Sequence, residues 1–320
     1  MPPPASPGNL GAETARRNEV EPTVTESAEA YLADEPDRPI VVGVDGSEIS
    51  YQAVAWAAVD AVLHGRRLDI ITSATLPTGF GSEVWTGGAD WVREDGERIV
   101  AEARRIAGLV EGPLEINAEL VFDPIIPTLI KRSERAHRLV VGSRGRGAVR
   151  RALLGSVSSA VVQRAHCPVA VIPGNSATDM VTAAKPVVVG VDGTENSEPA
   201  IGVAFDEASR RKVPLIAVHT WSDISLPEVA VAGWDTLRES ERAALSESLA
   251  GWREQYPDVD VRPVVWADRP ARALLAESEH SQLVVVGSHG RGGFTGMLLG
   301  STGHALLQSS ECPVIVVRRR

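Results

Sequence analysis

The stretch VVGVDGS at 41–47 decides the fold, because it returns as VVGVDGT at 188–194. LLGS at 153–156 likewise returns at 298–301, and CPV at 167–169 returns at 312–314. The offsets are 147, 145 and 145 residues. A near-constant offset of that size marks one folding unit duplicated in tandem, since stacked solenoid repeats recur every ~20 to 50 residues.

Each unit alternates short apolar runs with segments of helical periodicity. In the first copy, residues 40–44, 68–74, 115–122, 139–142 and 169–172 read as strands. Their counterparts are 187–191, 215–220, 259–266, 283–287 and 314–317. Between them, 51–63 places Val54, Ala57, Ala58, Ala61 and Val62 at helical spacing, and 98–110 has a similar pattern. Runs that are continuously apolar belong to strands covered on both faces. Strand and helix taking turns five times gives an α/β fold with an open parallel sheet and right-handed crossovers.

The chain has 320 residues, room for two such cores, with 43% apolar and 23% charged residues. No apolar run approaches the ~20 residues of a membrane span. The expected units are a disordered acidic tail at 1–38, a first domain at 39–174, a linker at 175–185 and a second domain at 186–320. A short helix over 26–33 is the one element expected in the tail. Eight acidic and three basic residues fall in 1–39, so this segment carries −5 of the net charge of −10. An acidic balance argues against a nucleic-acid partner. Cys167 and Cys312 are too few for a disulfide scaffold, and the N-terminus lacks the pattern of a signal peptide, so a cytoplasmic location is expected. Each cysteine precedes a proline that opens a strand, where a small buried thiol packs well. For the seven tryptophans, core or interface packing is the default.

In open parallel sheets ligands bind beyond the carboxyl ends of the strands. Two loops per copy stand there. The first holds Gly43, Val44, Asp45 and Gly46, with Gly190, Val191, Asp192 and Gly193 as its twin. This motif alone is equally the signature of an Asp that caps the following helix. The second reads Gly142, Ser143, Arg144, Gly145, nine residues, then Gly155 and Ser156; its twin reads Gly287, Ser288, His289, Gly290, nine residues, then Gly300 and Ser301. Glycines three apart let backbone N–H groups approach a ligand, and the later Gly-Ser opens a helix whose positive end favours phosphate. Ser156 and Ser301 can add a hydroxyl, and Arg144, Arg146 and Arg291 positive charge; Gly147 and Gly292 extend the loops. The bland alternative is a glycine-rich bend. Neither the P-loop spacing nor the dinucleotide fingerprint is present. No histidine falls in a metal-ligand spacing with Cys or carboxylates, and no nucleophile elbow or kinase loop is visible, so neither a metal site nor a catalytic residue is assigned.

The G-x-x-G-x9-G-[ST] loop, with V-G-V-D-G at the first strand and C-P-V before the fifth, resembles the ATP-binding branch of the universal stress protein family, in its tandem-domain actinobacterial form. The likeness covers both repeats, about 39–320. It implies two five-stranded parallel sheets of order 3-2-1-4-5, with two helices on each face, of the adenine-nucleotide alpha-hydrolase-like type. It also implies one ATP per repeat. Gly43, Val44 and Asp45 match residues that meet adenine and ribose, and Gly142, Gly145, Gly155, Ser156 and Val157 match the phosphate loop. In the second copy Gly190, Val191 and Asp192 take the first part, and Gly287, Gly290, Gly300, Ser301 and Thr302 the second. The copies differ after strand two, where Ser73, Ala74, Thr75 stand against His219, Thr220, Trp221. Mg²⁺ is expected only as a companion of the phosphates. The implied function is nucleotide-dependent regulation in a stress response, through a regulatory protein partner, without membrane attachment. The rival readings are a slow ATPase or nucleotide-transfer enzyme and a dimerisation module without nucleotide. The last strands, at 168–173 and 313–318, lie at sheet edges in that order, so the repeats are expected to pair through them and two chains to form a homodimer.

Overall fold

The computed structural model describes residues 37–75, 85–145, 154–174, 180–221, 234–290 and 299–318. The expected tail helix, and with it Arg146, Gly147, Arg291 and Gly292, lie outside the described residues. The first repeat runs β1 (Ile40–Gly43), α1 (Glu48–His64), β2 (Leu68–Ser73), α2 (Trp85–Ala107), β3 (Ile116–Val121), α3 (Ile125–Ser133), β4 (Arg138–Gly142), α4 (Ser156–Arg164) and β5 (Val169–Ile172). A one-turn helix α5 (Met180–Ala183) lies in the stretch expected as linker. The second repeat follows as β6 (Val187–Val191), α6 (Glu198–Arg211), β7 (Leu215–Thr220), α7 (Trp234–Ser248), α8 (Ala250–Gln255), β8 (Val261–Trp266), α9 (Pro270–Ser278), β9 (Leu283–Gly287), α10 (Ser301–Ser309) and β10 (Val314–Val317).

The strand order is β3-β2-β1-β4-β5-β10-β9-β6-β7-β8, so each repeat has the order 3-2-1-4-5. The two five-stranded units are not separate sheets. β10 lies antiparallel to β5, with Ile315 opposite Ala170, and every other pairing is parallel. The physical reason is that β5 and β10 would each be an apolar edge exposed to water, and pairing them removes both edges at once. The strands at the ends of the sheet, β3 and β8, are only half-buried, whereas β4, β5 and β10 are buried throughout.

Two apolar layers run across both repeats. One packs α1, α2, α6, α7 and α8 against the sheet through residues such as Ala57, Ile99, Phe205, Leu245 and Trp252; the other packs α3, α4, α9 and α10 through Leu129, Val161, Leu274 and Leu306. Local chemistry sets the helix limits. Ser47 caps α1 by accepting from the Ser50 N–H, so α1 starts three residues before its apolar periodicity does. Gly65, at φ 60°, closes α1, and Lys212, at φ 55°, closes α6 at the matching place. α2 runs Trp85–Ala107 instead of 98–110, its early turns being too polar to reveal a buried stripe. β8 starts at Val261, two residues late: the Val259 N–H still bonds the Tyr256 carbonyl in the turn after α8, while Asp260 already lends its carbonyl to the Leu215 N–H of β7.

Cys167 and Cys312 are free and buried as expected, and burial pushes the Cys312 thiol up from its ordinary pKa. Trp252 is in the core, whereas Trp91 and Trp266 are exposed on the single chain. Among the described residues no helix is long and apolar enough to cross a membrane.

Candidate functional site

Because the strands within a repeat are parallel, their carboxyl ends share one rim, and β1 beside β4 brings the two singled-out loops of that repeat together. At the end of β1 the chain turns through Gly46, at φ 80°, a conformation an L-residue resists. The turn lets Asp45 Oδ1 accept from the Ser47 N–H at 3.0 Å and from the Ser47 hydroxyl at 2.6 Å. In the second copy Gly193 has φ 73°, and Asp192 Oδ1 accepts from the Thr194 N–H at 2.9 Å and its hydroxyl at 2.7 Å. One carboxylate oxygen therefore closes the turn after the strand in each copy, but neither Asp caps the following helix, whose N-cap is Ser47 in α1 and Ser197 in α6. The other carboxylate oxygen faces the glycine loop: a Cβ built on Gly145 would stand 2.2 Å from Asp45 Oδ2, and one on Gly290 would stand 3.0 Å from Asp192 Oδ2.

The glycine loop is held by its backbone. Ser143 N–H donates to the Ile172 carbonyl and Gly155 N–H to the Ser143 carbonyl, both at 2.8 Å; Ser288 to Val317 and Gly300 to Ser288 repeat both bonds at 2.8 Å. A side chain at Gly142 would meet Ile49 at 2.8 Å, and one at Gly287 the Asn196 carbonyl oxygen at 2.9 Å. α4 and α10 begin after Gly155 and Gly300, both extended and neither offering a side-chain cap, so the first-turn N–H groups keep their capacity to bind an anion. Ser156 and Ser301 are exposed on that first turn, next to the half-buried Val157 and Thr302.

The loops differ in detail. Ser158 Oγ donates to the Gly142 carbonyl at 2.6 Å, a bond that Gly303 at the matching position cannot make. Ser288 Oγ meets His289 Nδ1 at 2.9 Å, whereas Ser143 Oγ is buried without a hydrogen-bond partner. Arg144 is half-buried in the loop. Val44 and Val191 have their side chains in the core, and Gly43 and Gly190 pack against Leu129 and Leu274. These four can offer a ligand only backbone. The pairing of Ser73 with His219 is off by one: Ile71 lies opposite Gly43 and Val218 opposite Gly190, so His219 matches Thr72. The CPV offset would not reveal this, because the copies differ in length between these two landmarks.

A buried ion network between the repeats escaped the sequence reading. Asp60 and His64 of α1 face Glu207 and Arg211 of α6, each pair at the same positions 147 residues apart. Arg138, at the start of β4, reaches Asp60 at 2.7 Å and Glu207 at 2.5 Å. Arg211 meets Asp60 at 3.0 Å and lies over the Trp56 ring. His64 Nδ1 donates to the Asp60 carbonyl at 2.9 Å, and Nε2 stands 3.3 Å from both Asp206 and Glu207. Burial by itself would lower the His64 pKa, but the Asp60 and Glu207 charges, helped by Asp206, push it up to about 9. Burial also opposes ionisation of Glu207, yet Arg138, Arg211 and His64 hold it well below the usual carboxylate range. His137 goes the other way: burial, then the Arg138 charge, drives its pKa far down.

This cluster corrects the statement that no histidine shares a ligand spacing with a carboxylate. Donor atoms of Asp60, His64 and Glu207 lie within 4.8 Å of one another. Both carboxylates are already engaged by Arg138 and Arg211, whose positive charges oppose a cation there. The available signal was an acid followed four residues later by a base on two matching helices, at positions flanked by core alanines.

The sequence model of the universal stress protein family matches residues 37–173 and again 183–318. A universal stress protein of Mycobacterium bovis is 47% identical over 288 residues, covering 88% of this chain and 97% of that protein. Another, of Mycobacterium tuberculosis, is 42% identical over 284 residues, covering 87% and 96%. In fold the chain is similar to the crystal structure of a universal stress protein from Archaeoglobus fulgidus, with a TM-score of 0.66 at 22% identity, covering 88% of this chain and 98% of that one.

Proposed function

The chain belongs to the universal stress protein family, and from that premise we propose that it binds ATP, one molecule in each repeat, as a nucleotide-dependent regulatory protein of a stress response. The observation that carries the reading is the meeting of Asp45 with Gly145, and of Asp192 with Gly290, beside a helix start that has no side-chain cap. A strand-end carboxylate suits the ribose hydroxyls. Backbone N–H groups of the loop beyond Ser143, whose own N–H is held by the Ile172 carbonyl, and those at the start of α4, with the Ser156 hydroxyl, suit the phosphates. The second repeat offers the same groups beyond Ser288, at the start of α10 and at Ser301. A β-carbon at Gly145 would collide with the Asp45 carboxylate, so the absence of one lets the loop backbone close against that carboxylate, an arrangement that suits a nucleotide lying across the backbone. Mg²⁺ would ride with the phosphates, with Asp45, Asp192 and the loop hydroxyls as its nearest oxygen donors.

In this reading binding is the function, and domains at 39–174 and 186–320 are joined by the linker 175–185. The protein acts in the cytoplasm through a regulatory partner and as a homodimer. Since β5 and β10 are paired within the chain, the dimer forms through other surfaces. The test is to denature purified protein and identify the released nucleotide by chromatography. ATP at close to two per chain is expected, falling to trace levels in a Gly145→Trp, Gly290→Trp double variant. Equal nucleotide content in the double variant would refute the site, and recovery of ADP alone would favour the ATPase reading.

A further inference from the structure

Both candidate sites hang on one backbone carbonyl, and each repeat holds that carbonyl with a different side chain. Val44 lies just beyond the end of β1, and its carbonyl belongs to the peptide that begins Asp45. The Thr72 hydroxyl, from β2, donates to it at 2.8 Å. In the second repeat His219, from β7, reaches the Val191 carbonyl with Nδ1, also at 2.8 Å. Thr72 and His219 occupy the same register and are both buried. We infer that Thr72 and His219 are positioning residues, each fixing the peptide plane that aims Asp45 or Asp192 at the glycine loop; this rests on the nucleotide reading proposed above.

Each residue follows a run of buried apolar strand residues, Ile70 and Ile71 or Ala217 and Val218, where valine would pack as well and would bury no polar group. A hydroxyl or an imidazole in that position is costly unless it is hydrogen-bonded, and here each makes the same bond. The residue type changed between the copies while the acceptor and the distance stayed the same. A copied structural accident would keep the residue; a constraint on the carbonyl keeps the bond. The copies part at the far side of the ring, where His219 Nε2 meets Glu241 Oε2 of α7 at 3.1 Å. Through His219 the second site is tied to α7, a link that the shorter threonine side chain does not extend to α2.

The test is calorimetric titration of the full chain with ATP in two backgrounds, Gly290→Trp to leave the first site and Gly145→Trp to leave the second. In the first background Thr72→Val should weaken ATP binding by about fivefold to tenfold, the effect of one lost neutral hydrogen bond, and Thr72→Ser should return it to within about twofold. In the second background His219→Leu should weaken binding to a similar degree, and His219→Thr should recover most of the loss while removing the contact with Glu241. Thermal unfolding of each variant separates a folding defect from a loss of affinity. Undiminished binding by Thr72→Val, or a Thr72→Ser variant as weak as Thr72→Val, would overturn the inference and leave the nucleotide reading standing. Absence of ATP binding in both parent backgrounds and in the unaltered chain would overturn the two together.

Discussion

The first repeat surrounds its crevice with Thr72, Asp45, Gly145 and Ser158; the second surrounds its own with His219, Asp192, Gly290 and Gly303. Where backbone geometry is at stake the two agree. The bonds from Ser143 to Ile172 and from Ser288 to Val317 have the same length, as do those from Gly155 and Gly300. Where side chains hold that geometry in place, they diverge. The divergence is greatest at the seam, where the first repeat contributes Arg138 and His137 and the second has Leu283 and Gln282 at the matching positions. Within a repeat the rim is constrained to stay alike, while the seam, where two unlike surfaces meet once, is free to become asymmetric. The anion sites proposed above are compatible with an acidic chain, since they would be built from backbone.

Removing the asymmetry at the seam should have the largest effect. Arg138→Leu gives the first repeat the residue its twin carries, and it leaves buried Asp60 and Glu207 short of a cation. Loss of one partner from a buried ion network typically costs about 3–5 kcal/mol. Chemical denaturation should register a loss of that size, and a triple variant that adds Asp60→Leu and Glu207→Leu should not recover it, because buried Arg211 and His64 then lose the carboxylates that face them. A loss under ~1 kcal/mol for Arg138→Leu would mean that water or a neighbouring cation compensates for the missing guanidinium.

The next effect separates His64 from its counterpart Arg211 by pH. His64 has a folded pKa of about 9 against an ordinary 6.5, so the stability it contributes is complete below about pH 6.5 and is lost as pH rises through about 9. The loss is on the order of 3 kcal/mol. His137 has the opposite sign: its folded pKa lies far below the ordinary value, so it opposes stability as pH falls below about 6.5. Unfolding free energies of the unaltered chain and of His64→Gln, compared from pH 6 to pH 10, should converge as pH rises. A constant gap between them would show that folding does not shift the His64 pKa.

How much was legible depended on whether a residue's role is local. The alternation of strands and helices follows from apolar runs visible along the chain, whereas the strand order, and with it the pairing of the last strands and the meeting of the two rim loops, is what the family resemblance carried by the glycine motifs implies. The spacing reveals α2 only from residue 98, because the turn before it carries Arg93, Glu94 and Asp95. The network was illegible for a different reason. Asp60 and Glu207 are separated by 147 residues, and each looks like an ordinary helical charge until β5 and β10 bring the repeats together. The one-residue slip between Ser73 and His219 has a third cause: only sheet register, set by hydrogen bonds to β1 and β6, tells which residue of a polar strand end faces inward.

A smaller effect, of about 1–2 kcal/mol, is expected at the glycine loops. Alanine at 145 would place its β-carbon 2.2 Å from Asp45 Oδ2, whereas alanine at 290 would meet Asp192 Oδ2 at 3.0 Å. The first must displace the carboxylate or the loop, and the second needs a shift of a few tenths of an ångström. In the single-site backgrounds, Gly145→Ala should therefore weaken ATP binding roughly tenfold more than Gly290→Ala does. Equal losses would show that the second loop closes as tightly as the first once nucleotide binds.

The smallest expected effect reverses sign between the copies. Gly65 and Lys212 both end a helix in the left-handed region, at φ 60° and 55°. Glycine adopts that conformation without a β-carbon clash, and lysine pays about 1–2 kcal/mol for it, part of which is offset because lysine has fewer unfolded conformations to lose. Nothing stands within 4 Å of a β-carbon at Gly65, so the cost there is conformational and not steric. Lys212→Gly should then stabilise the protein by roughly 0.5–1 kcal/mol, and Gly65→Lys should destabilise it by a similar amount. Thermal unfolding of the two variants and of their combination would decide the matter. If Lys212→Gly is destabilising, then the lysine side chain makes contacts that outweigh the strain, and the second repeat has found its own way to end the helix.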